Sequence, residues 1–310
     1  MTEVVEPRIV VIGEALVDVV HRGRGVVDEA PGGSPANVAL TLGRLGRRPA
    51  LVTSLGDDDR GALVRRWLEE SDVAVSAAPS PRTSTAVARL DAAGAAQYEF
   101  DIHWDLGHDR TGFADLVASA DVVHVGSVGA VLAPGADQVR ALVGAADAGA
   151  MITYDPNIRP ALVDDPDALR ERVAELVGLA DVVKASDEDL RWLHPGRDPL
   201  DVAREWRRRG PALVVVTSGA GGAHAVTATG DVVVPGVPVT VVDTVGAGDT
   251  FMGALIDGLA NHAAARHPAA VVPHDDLETL LRRCAQAAAI TVSRPGADPP
   301  RREELAGDAR

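Results

Sequence analysis

Residues 243–251 read Asp-Thr-Val-Gly-Ala-Gly-Asp-Thr-Phe. Residues 237–242, which precede them, are mostly apolar and are predicted to form a strand or an extended segment. Apolar residues recur at helical spacing from Phe251 onwards, so we expect a helix that begins near Ala247 or Gly248. The chain is therefore predicted to pass from an extended segment, through a glycine-containing turn, into a helix.

This turn is predicted to bind an anion. Glycines at a helix start leave the backbone N–H groups open to a ligand, with the positive end of the helix dipole behind them. Asp249 follows directly, and a carboxylate beside a phosphate site suits phosphoryl transfer. We expect the amides of Gly246, Ala247 and Gly248 to stabilise the transferring group, and Asp249 to take a proton from the attacking hydroxyl. Read without their neighbours, the same residues also fit an ordinary glycine-rich turn.

The composition of the whole chain limits the classes of function. Its 310 residues are 46% hydrophobic and 24% charged, which is ordinary for a soluble globular protein. The formal net charge of −15 argues against nucleic acid or a membrane surface as a partner. Cys284 is the only cysteine, so no internal disulfide is possible, and we expect a cytoplasmic protein. No apolar run reaches the length of a membrane span.

Short apolar segments alternate with helical patterns along most of the chain. This alternation predicts an α/β fold with a parallel sheet that helices cover on both faces, and ligands of such sheets bind at the carboxyl ends of the strands. The predicted strands are residues 8–12, 50–53, 122–125, 151–154, 181–183 and 213–217. The predicted helices are residues 35–45, 61–70, 136–146, 166–179 and 199–209.

Two regions, about 15–30 and 84–104, do not follow this alternation. Within the second, extended segments on either side of residues 91–95 are typical of a hairpin. We expect these regions to form a small sheet on a single domain of residues 1–310. Such a sheet is either a lid that excludes water from a cleft or an ordinary edge hairpin, and the residues alone favour neither.

Residues 32–37, Gly-Gly-Ser-Pro-Ala-Asn, precede a predicted helix. Ser34 is predicted to be its N-cap, with Pro35 at the first helical position. The glycine pair allows a ligand to approach the main chain, and the amide of Asn37 can donate to and accept from a hydroxyl of that ligand. A well-capped helix with no ligand explains the same residues.

These stretches resemble the signatures of the ribokinase-like (PfkB) carbohydrate kinases. Residues 243–251 are similar to the C-terminal signature of that family, and residues 32–37 to its N-terminal signature. The landmarks follow the family order from Gly13 to about Pro300. The resemblance implies a doubly wound α/β domain with a β lid, and the reaction ATP + sugar → ADP + sugar phosphate, with Mg²⁺. It implies that Asp249 is the catalytic base.

The resemblance also implies a set of sugar-binding residues. The opening Gly-Glu-Ala-Leu-Val-Asp of residues 13–18 looks like that of fructokinase-type members, and Asp-Pro-Asn-Ile-Arg at 155–159 is similar to fructokinases and keto-deoxygluconate kinases. We therefore expect a fructokinase, with a 2-keto-3-deoxygluconate kinase or a ribokinase-type kinase as alternatives. A non-catalytic sugar- or nucleotide-binding regulator with the same fold is a remote alternative. The implied sugar-binding residues are Asp18, Gly32, Gly33, Asn37, Tyr98, Phe100, Asn157 and Arg159.

A second set of residues is expected to bind ATP and metal ions. Residues 184–189 stand where the family has Asn-x-x-Glu, a motif associated with magnesium, so Asp189 is expected to serve Mg²⁺. Aspartate is shorter than the usual glutamate, which makes Glu188 a neighbouring candidate. Asp243 and the carbonyl of Val245 are expected to bind a monovalent cation such as K⁺. Lids of this family often pair with a second chain, which suggests a homodimer. The implied ATP-binding residues are Lys184, Ser186, Thr217, Gly219, Gly222, Gly246 and Gly248.

Overall fold

The computed structural model describes residues 6–21, 27–90, 96–263 and 273–306. The strands are β1 Ile9–Ile12, β2 Leu16–His21, β3 Val27–Gly32, β4 Ala50–Gly56, β5 Ala74–Ser80, β6 Ser84–Leu90, β7 Ala96–Asp101, β8 Val122–Gly126, β9 Met151–Asp155, β10 Val182–Ser186, β11 Leu213–Thr217, β12 Ala223–Val226 and β13 Asp231–Val234. The helices are α1 Ser34–Arg44, α2 Asp59–Glu69, α3 Thr111–Ala118, α4 Ser127–Val131, α5 Gly135–Val143, α6 Pro166–Leu179, α7 Asp187–Leu193, α8 Pro199–Arg209, α9 Ala247–Ala263, α10 His274–Val292 and α11 Arg302–Ala306.

Nine strands form one large sheet, in the order β13-β12-β11-β10-β9-β8-β1-β4-β5. The pairs from β5 to β11 are parallel, and β12 and β13 complete the sheet as antiparallel strands. The chain runs outwards from β1 through β4 and β5, and then in the other direction from β8. The strand order therefore reverses beside β1, and a ligand site is expected at the carboxyl ends of the strands there.

Helices cover both faces of the large sheet because its central strands are apolar on both sides. On one face, α1, α9 and α10 pack on alternate residues of the strands, such as Val11 and Val215. On the other face, α5, α6 and α8 pack on the intervening residues, such as Val123 and Val214. The two cores confirm the predicted doubly wound α/β fold. Cys284 is fully buried in the first core, and burial raises the pKa of its thiol.

A second sheet of four strands has the order β3-β2-β6-β7. Its middle pair is parallel and its two outer pairs are antiparallel. The pairing of β6 with β7 confirms the predicted hairpin, although its connection, residues 91–95, lies outside the described residues. The register places Asp18, Ala86 and Phe100 in one row across the sheet. Directly paired residues share a face, so Asp18 and Phe100 lie on the same side of this sheet.

The sequence prediction differs from the structure at several elements. The described part of residues 237–242 contains no strand: this segment is extended, and the amide of Val242 donates to the carbonyl of Val292 (2.8 Å). Strands β5, β12 and β13 and helix α3 were not predicted. None of the helices in the described ranges is long and apolar enough to cross a membrane.

Candidate active site

Helix α9 begins inside the Gly-Ala-Gly-Asp turn, as the sequence predicts. It starts at Ala247, and the amide of Thr250 donates to the carbonyl of Gly246 (2.8 Å). The amides that precede Thr250 have no acceptor in the helix, which is the general property of a helix start. The amide of Ala247 makes a long hydrogen bond to the carbonyl of Thr244 (3.4 Å), in the turn before the helix. A Cβ on Gly248 would lie 2.9 Å from Nζ of Lys184, so the backbone of the turn passes close to this ammonium group. The turn therefore has a positive charge directly beside it.

Asp249 lies in the first turn of α9 and is buried. Each oxygen of its carboxylate accepts one hydrogen bond: Oγ of Ser34 donates to Oδ1 (2.6 Å), and Nδ2 of Asn37 donates to Oδ2 (2.8 Å). The Oδ1 atom of Asn37 is buried and has no hydrogen-bond partner among the described residues. Asn37 therefore holds the carboxylate with one end of its amide and has an unused acceptor at the other.

The start of α1 corrects the prediction for Ser34. The sequence predicts Ser34 as the N-cap, but α1 begins at Ser34, and Gly33 is the cap with a φ of 103° and no side-chain cap bond. A Cβ on Gly33 would lie 2.6 Å from the carbonyl oxygen of Glu14, so only glycine fits this positive-φ position. The hydroxyl of Ser34 consequently donates to Asp249 and does not cap the helix.

Asp18 lies on β2, and its carboxylate lies against the backbone of Gly32 at the end of β3. A Cβ on Gly32 would lie 2.3 Å from Oδ2 of Asp18. Burial raises the pKa of Asp18 to about 6, the charge of Arg159 opposes this rise, and that of Asp249 adds to it. These mutual effects mean that the three charged groups lie near enough to influence one another. They bring the small sheet, the end of β9 and the start of α9 together around one cleft.

Glu14 follows β1 directly and is buried at the base of the small sheet. The amide of Gly129 donates to its Oε2 atom (2.7 Å). Burial raises the pKa of Glu14 to about 7, although hydrogen bonds from Ser127 and Gly129 and the charge of Arg159 act against the rise. Glu14 therefore changes its charge near neutral pH, at the point where the chain leaves the large sheet for the small one.

Asn157 and Arg159 follow β9, at the carboxyl edge of the large sheet. The backbone of Asn157 has a φ of 39°, which is uncommon for a residue other than glycine. Its Oδ1 atom accepts from Nη1 of Arg159 (2.7 Å), whereas its Nδ2 atom is buried without a hydrogen-bond partner in the described part of the chain. Arg159 is exposed. The pair thus offers an unused amide donor and an accessible guanidinium group, both suited to hydroxyls or phosphate oxygens.

Lys184, the only lysine, is buried on β10 and pairs with Asp155 at the end of β9. Its Nζ atom donates to Oδ2 of Asp155 (2.8 Å). Burial raises the pKa of Asp155 to about 6 against the attraction of Lys184. Burial lowers the pKa of Lys184, but the carboxylate of Asp155 outweighs it and leaves that pKa raised. The pair is therefore ionised at pH 7. His124, buried nearby on β8, is neutral because burial and the charge of Lys184 lower its pKa to about 3.

Ser186 and Asp189 form a capping box at the start of α7. Oδ2 of Asp189 accepts from the amide (3.1 Å) and the hydroxyl (2.7 Å) of Ser186, and Oδ1 accepts from the amide of Ile158 (2.8 Å). Both oxygens of the expected magnesium residue are therefore occupied within the protein. The neighbouring Glu188 is exposed. The described residues contain no group of three or more His, Cys, Asp or Glu side chains that could hold a metal ion by itself.

The residues predicted to bind a nucleotide lie in two loops. Thr217 ends β11, and a 3₁₀ turn at Gly219–Gly221 leads to Gly222, whose carbonyl accepts from the amide of Ser218 (2.9 Å). In the second loop, Oδ1 of Asp243 accepts from the amide of Val245 (3.0 Å) and Oδ2 from the amide of Gly296 (2.9 Å). Asp243 thus joins the turn before α9 to the segment after α10.

Two predicted sugar-binding residues come from β7. Phe100 is half-buried and shares a face of the small sheet with Asp18, so the register supports its placement beside the cleft. Tyr98 belongs to the same strand, but its side chain lies outside the described part of the structure.

The assembled site combines three chemical features. It has a buried carboxylate, Asp249, beside the open amides of a helix start, and an ammonium group, Lys184, next to the same turn. Facing them are neutral amides with unused hydrogen-bonding atoms and the carboxylate of Asp18. This arrangement can bind a polyhydroxyl compound on one side and an anion on the other, and it can remove a proton between them.

Residues 6–304 match the family described as pfkB family carbohydrate kinase. The chain belongs to this family. The match extends across nearly all of the described structure and confirms the resemblance inferred from the two signatures. The protein is therefore a carbohydrate kinase.

Curated relatives of this carbohydrate kinase include bacterial fructokinases. The chain is 37% identical over 254 residues to a fructokinase of Rhizobium leguminosarum bv. trifolii, covering 80% of this chain and 78% of that protein. It is 34% identical over 276 residues to a fructokinase of Klebsiella pneumoniae, covering 86% and 89%.

Solved structures show the same fold. A fructokinase from Xylella fastidiosa with bound ATP superposes with a TM-score of 0.85 at 28% identity, covering 97% of this chain and 98% of that one. A fructokinase from Vibrio cholerae O395 with fructose, ADP and calcium ion superposes with a TM-score of 0.82 at 27% identity, covering 98% and 99%. These similarities confirm the predicted ribokinase-like architecture over almost the whole chain.

Sequence reasoning missed the partners that hold the site together. It did not connect Ser34 with Asp249, or Lys184 with Asp155. The first two residues are separated by 215 positions, and no local pattern reports a contact at that distance. The polar ends of β9 and β10 do signal the second pair, because the carboxyl ends of neighbouring parallel strands meet at one edge.

Proposed function

We propose that this carbohydrate kinase transfers the γ-phosphoryl group of ATP to fructose. The observation that carries the proposal is the carboxylate of Asp249, held by Ser34 and Asn37 at the open start of α9. The names of the relatives and of the superposed structures agree on fructose as the sugar. The Xylella fastidiosa structure was solved with ATP, which supports ATP as the phosphoryl donor.

The sugar is proposed to bind between the small sheet and the end of β9. Asp18 accepts from sugar hydroxyls, and the Oδ1 atom of Asn37 and the Nδ2 atom of Asn157 supply an acceptor and a donor that the described residues leave unused. Buried polar atoms without partners are costly, so hydroxyls that complete them gain binding energy and specificity. Gly32 and Gly33 bring the main chain to the same region, Phe100 is assigned to its wall, and Arg159 to its rim. Tyr98 is retained as a proposed sugar-binding residue on the basis of the resemblance.

Asp249 is proposed to accept the proton of a primary hydroxyl as its oxygen attacks the γ-phosphorus. The amides of Gly246, Ala247 and Gly248 then face the phosphoryl oxygens, and Lys184 adds a positive charge beside the turn. Charge on these oxygens is stabilised by groups that are already oriented. Positioning and charge neutralisation carry most of the rate, as is general for phosphoryl transfer.

Thr217, Gly219 and Gly222 are proposed to line the nucleotide, together with Ser186. The extended segment before α9 exposes several valines, including Val241 and Val242, at 59% and 57%. Exposed apolar side chains next to an anion-binding turn are suited to contact a nucleotide base while the turn holds its phosphates.

The residues present fit a magnesium ion carried by the nucleotide. Asp189 has both oxygens hydrogen-bonded within the chain, so we propose that it acts through water, with the exposed Glu188 as the alternative. When bound, Mg²⁺ neutralises charge on the β- and γ-phosphate oxygens. Asp243 and the Val245 carbonyl are retained as a proposed monovalent-cation site. A cytoplasmic location and a homodimer formed through the small sheet also remain proposals.

Release of ADP is the test of this function. The purified protein is assayed with MgATP against fructose, ribose, 2-keto-3-deoxygluconate, tagatose and adenosine, with and without K⁺, and Asp249→Asn is the negative control. We expect the highest kcat/KM with fructose. A clear preference for another sugar would keep the kinase and overturn the fructose assignment. Binding of a sugar without any turnover on the panel would instead favour the non-catalytic regulator.

A further inference from the structure

The hydroxyl of Ser34 makes one hydrogen bond among the described residues, and the acceptor is Asp249, the proposed base. Oγ of Ser34 lies 2.6 Å from Oδ1 of Asp249, and both residues are buried, at 7% exposure each. A short hydrogen bond to a charged acceptor in a buried setting is stronger than one between neutral groups. The contact is therefore a substantial restraint on the carboxylate.

Helix α1 does not account for a serine at this position. Gly33 is the N-cap, no side chain caps the helix, and Pro35 already occupies the first turn. Alanine has a higher helix propensity than serine, so the helix by itself does not require the hydroxyl. The interaction that Ser34 adds to the fold is the one with Asp249.

The two donors to Asp249 differ in what else they can do. Asn37 has a second polar atom, Oδ1, that is unpaired among the described residues, and we have assigned it to the sugar. Ser34 has a single hydroxyl, which is already committed to Oδ1 of Asp249. Together they donate to opposite oxygens and so fix the rotation of the carboxylate about its terminal bond.

We propose that Ser34 is a positioning residue for the catalytic base. The Ser34 hydroxyl donates to one carboxylate oxygen of Asp249. The opposite side of this carboxylate then faces the sugar hydroxyl that is to be deprotonated. This inference rests on the proposed function, because it assumes that Asp249 is the base. Ser34 then acts on the rate of transfer through Asp249, and it does not act on the binding of sugar.

The experiment compares Ser34→Ala and Ser34→Thr with the wild-type kinase at saturating MgATP, on the best sugar of the panel. We expect Ser34→Ala to lower kcat by about tenfold to a hundredfold, the usual value of a hydrogen bond to a charged group. The KM for the sugar should stay within about twofold of wild type. Ser34→Thr keeps a hydroxyl and should recover most of kcat.

Ser71→Ala is the matched control. Ser71 is also buried, but it packs beside Gly43, near the end of α1 opposite to Ser34. It should leave kcat unchanged, and thermal melts of all variants show whether they are folded. If the wild type and Ser71→Ala turn over and the kcat of Ser34→Ala equals theirs, this inference is overturned and the proposed function is not. No turnover by the wild type would overturn the proposed function, and the inference with it.

A double-mutant cycle separates positioning from other roles. In single-turnover measurements, Ser34→Ala should cause no further loss when Asp249 is already asparagine, because a residue that acts through the base has nothing left to position. An equal, additive loss in both backgrounds would contradict the inference. A rise in KM with kcat unchanged would also contradict it and would make Ser34 a sugar-binding residue.

Discussion

The two sides of the cleft treat their polar groups differently. On the side proposed for the nucleotide, called the nucleotide side here, charged groups are hydrogen-bonded within the chain: Lys184 with Asp155, and Asp189 with Ser186 and Ile158. One oxygen of Asp155 is the exception. On the side proposed for the sugar, called the sugar side here, Asn37 and Asn157 each have a buried atom without a partner in the described structure, and burial raises the pKa of Asp18.

This difference suggests how the site divides its tasks. Groups that are hydrogen-bonded within the chain keep their geometry without a ligand, so the nucleotide side is already arranged to bind an anion. Unpaired polar atoms are costly until a ligand completes them, so the sugar side rewards the sugar whose hydroxyls match. Asp249 lies between the two sides and is held from the sugar side by Ser34 and Asn37.

The largest effect is expected at the residue that joins the two sides. Asp249→Asn should lower kcat by about a thousandfold or more, because it removes the proton acceptor from a nearly isosteric side chain. Titration calorimetry should show that fructose binding is retained, since Asn37 and Asp18 remain. Turnover near the wild-type rate would remove Asp249 from its assigned role and leave the comparison without its central group.

A smaller effect is expected on the sugar side alone. Asp18→Asn should raise the KM for fructose by about tenfold to a hundredfold with a smaller change in kcat, since a charged acceptor becomes a neutral amide. In the wild type, the pKa of Asp18 is about 6, so KM should be constant above that pH and rise below it as the carboxylate is protonated.

The variant should lose this pH dependence, while Asp59→Asn on the exposed start of α2 should behave as wild type. An identical dependence of KM on pH in Asp18→Asn and the wild type would mean that another group controls sugar binding.

The smallest effect is on stability, at the base of the small sheet. Burial raises the pKa of Glu14 from 4.5 to about 7, so its contribution to the free energy of unfolding is full below pH 4.5 and is lost as the pH rises through 7. Glu14→Gln resembles the neutral acid at every pH. The free energy of unfolding of the variant should therefore equal that of the wild type near pH 4.5 and exceed it by roughly 3 kcal/mol at about pH 8.

Urea unfolding at several pH values measures this difference, with Glu69→Gln on the exposed end of α2 as the control. A difference between Glu14→Gln and wild type that does not change with pH would show that Glu14 is not a buried titrating group.

The elements that the sequence predicts correctly carry local signals. The start of α6 at Pro166 follows from Asp165, whose side chain caps the helix, and from the proline at its first position. The start of α9 follows from the glycines and the helical spacing after them. Strands of the large sheet are recognisable because their residues are apolar on both faces.

The elements that were missed lack such signals. Strands β12 and β13 have four residues each, too few to establish a period. Residues 237–242 carry the apolar residues of a strand, but the valines at 237, 239, 241 and 242 are exposed, so their hydrophobicity does not serve the core. Composition cannot distinguish an apolar segment that packs inside the fold from one that stays exposed on its surface.

The sequence proposes the residues of the candidate site, but it does not predict the hydrogen bonds between them. Motifs identified Asp249, Asn37, Asn157 and Lys184, because each stands in a short string with a recognisable order. That Asn37 holds Asp249, and that Asp189 is occupied by Ser186 and Ile158, depends on how distant strands and helices come together. Such contacts are properties of the fold and not of any one string.

A crystal structure of the protein with fructose, solved without nucleotide, tests the account most directly. We expect sugar hydroxyls within about 3 Å of Asp18, of Oδ1 of Asn37 and of Nδ2 of Asn157, and a primary hydroxyl at the same distance from the carboxylate of Asp249. The pairs on the nucleotide side should be unchanged. Fructose bound elsewhere, or bound here with those amide atoms still unpaired, would contradict the account.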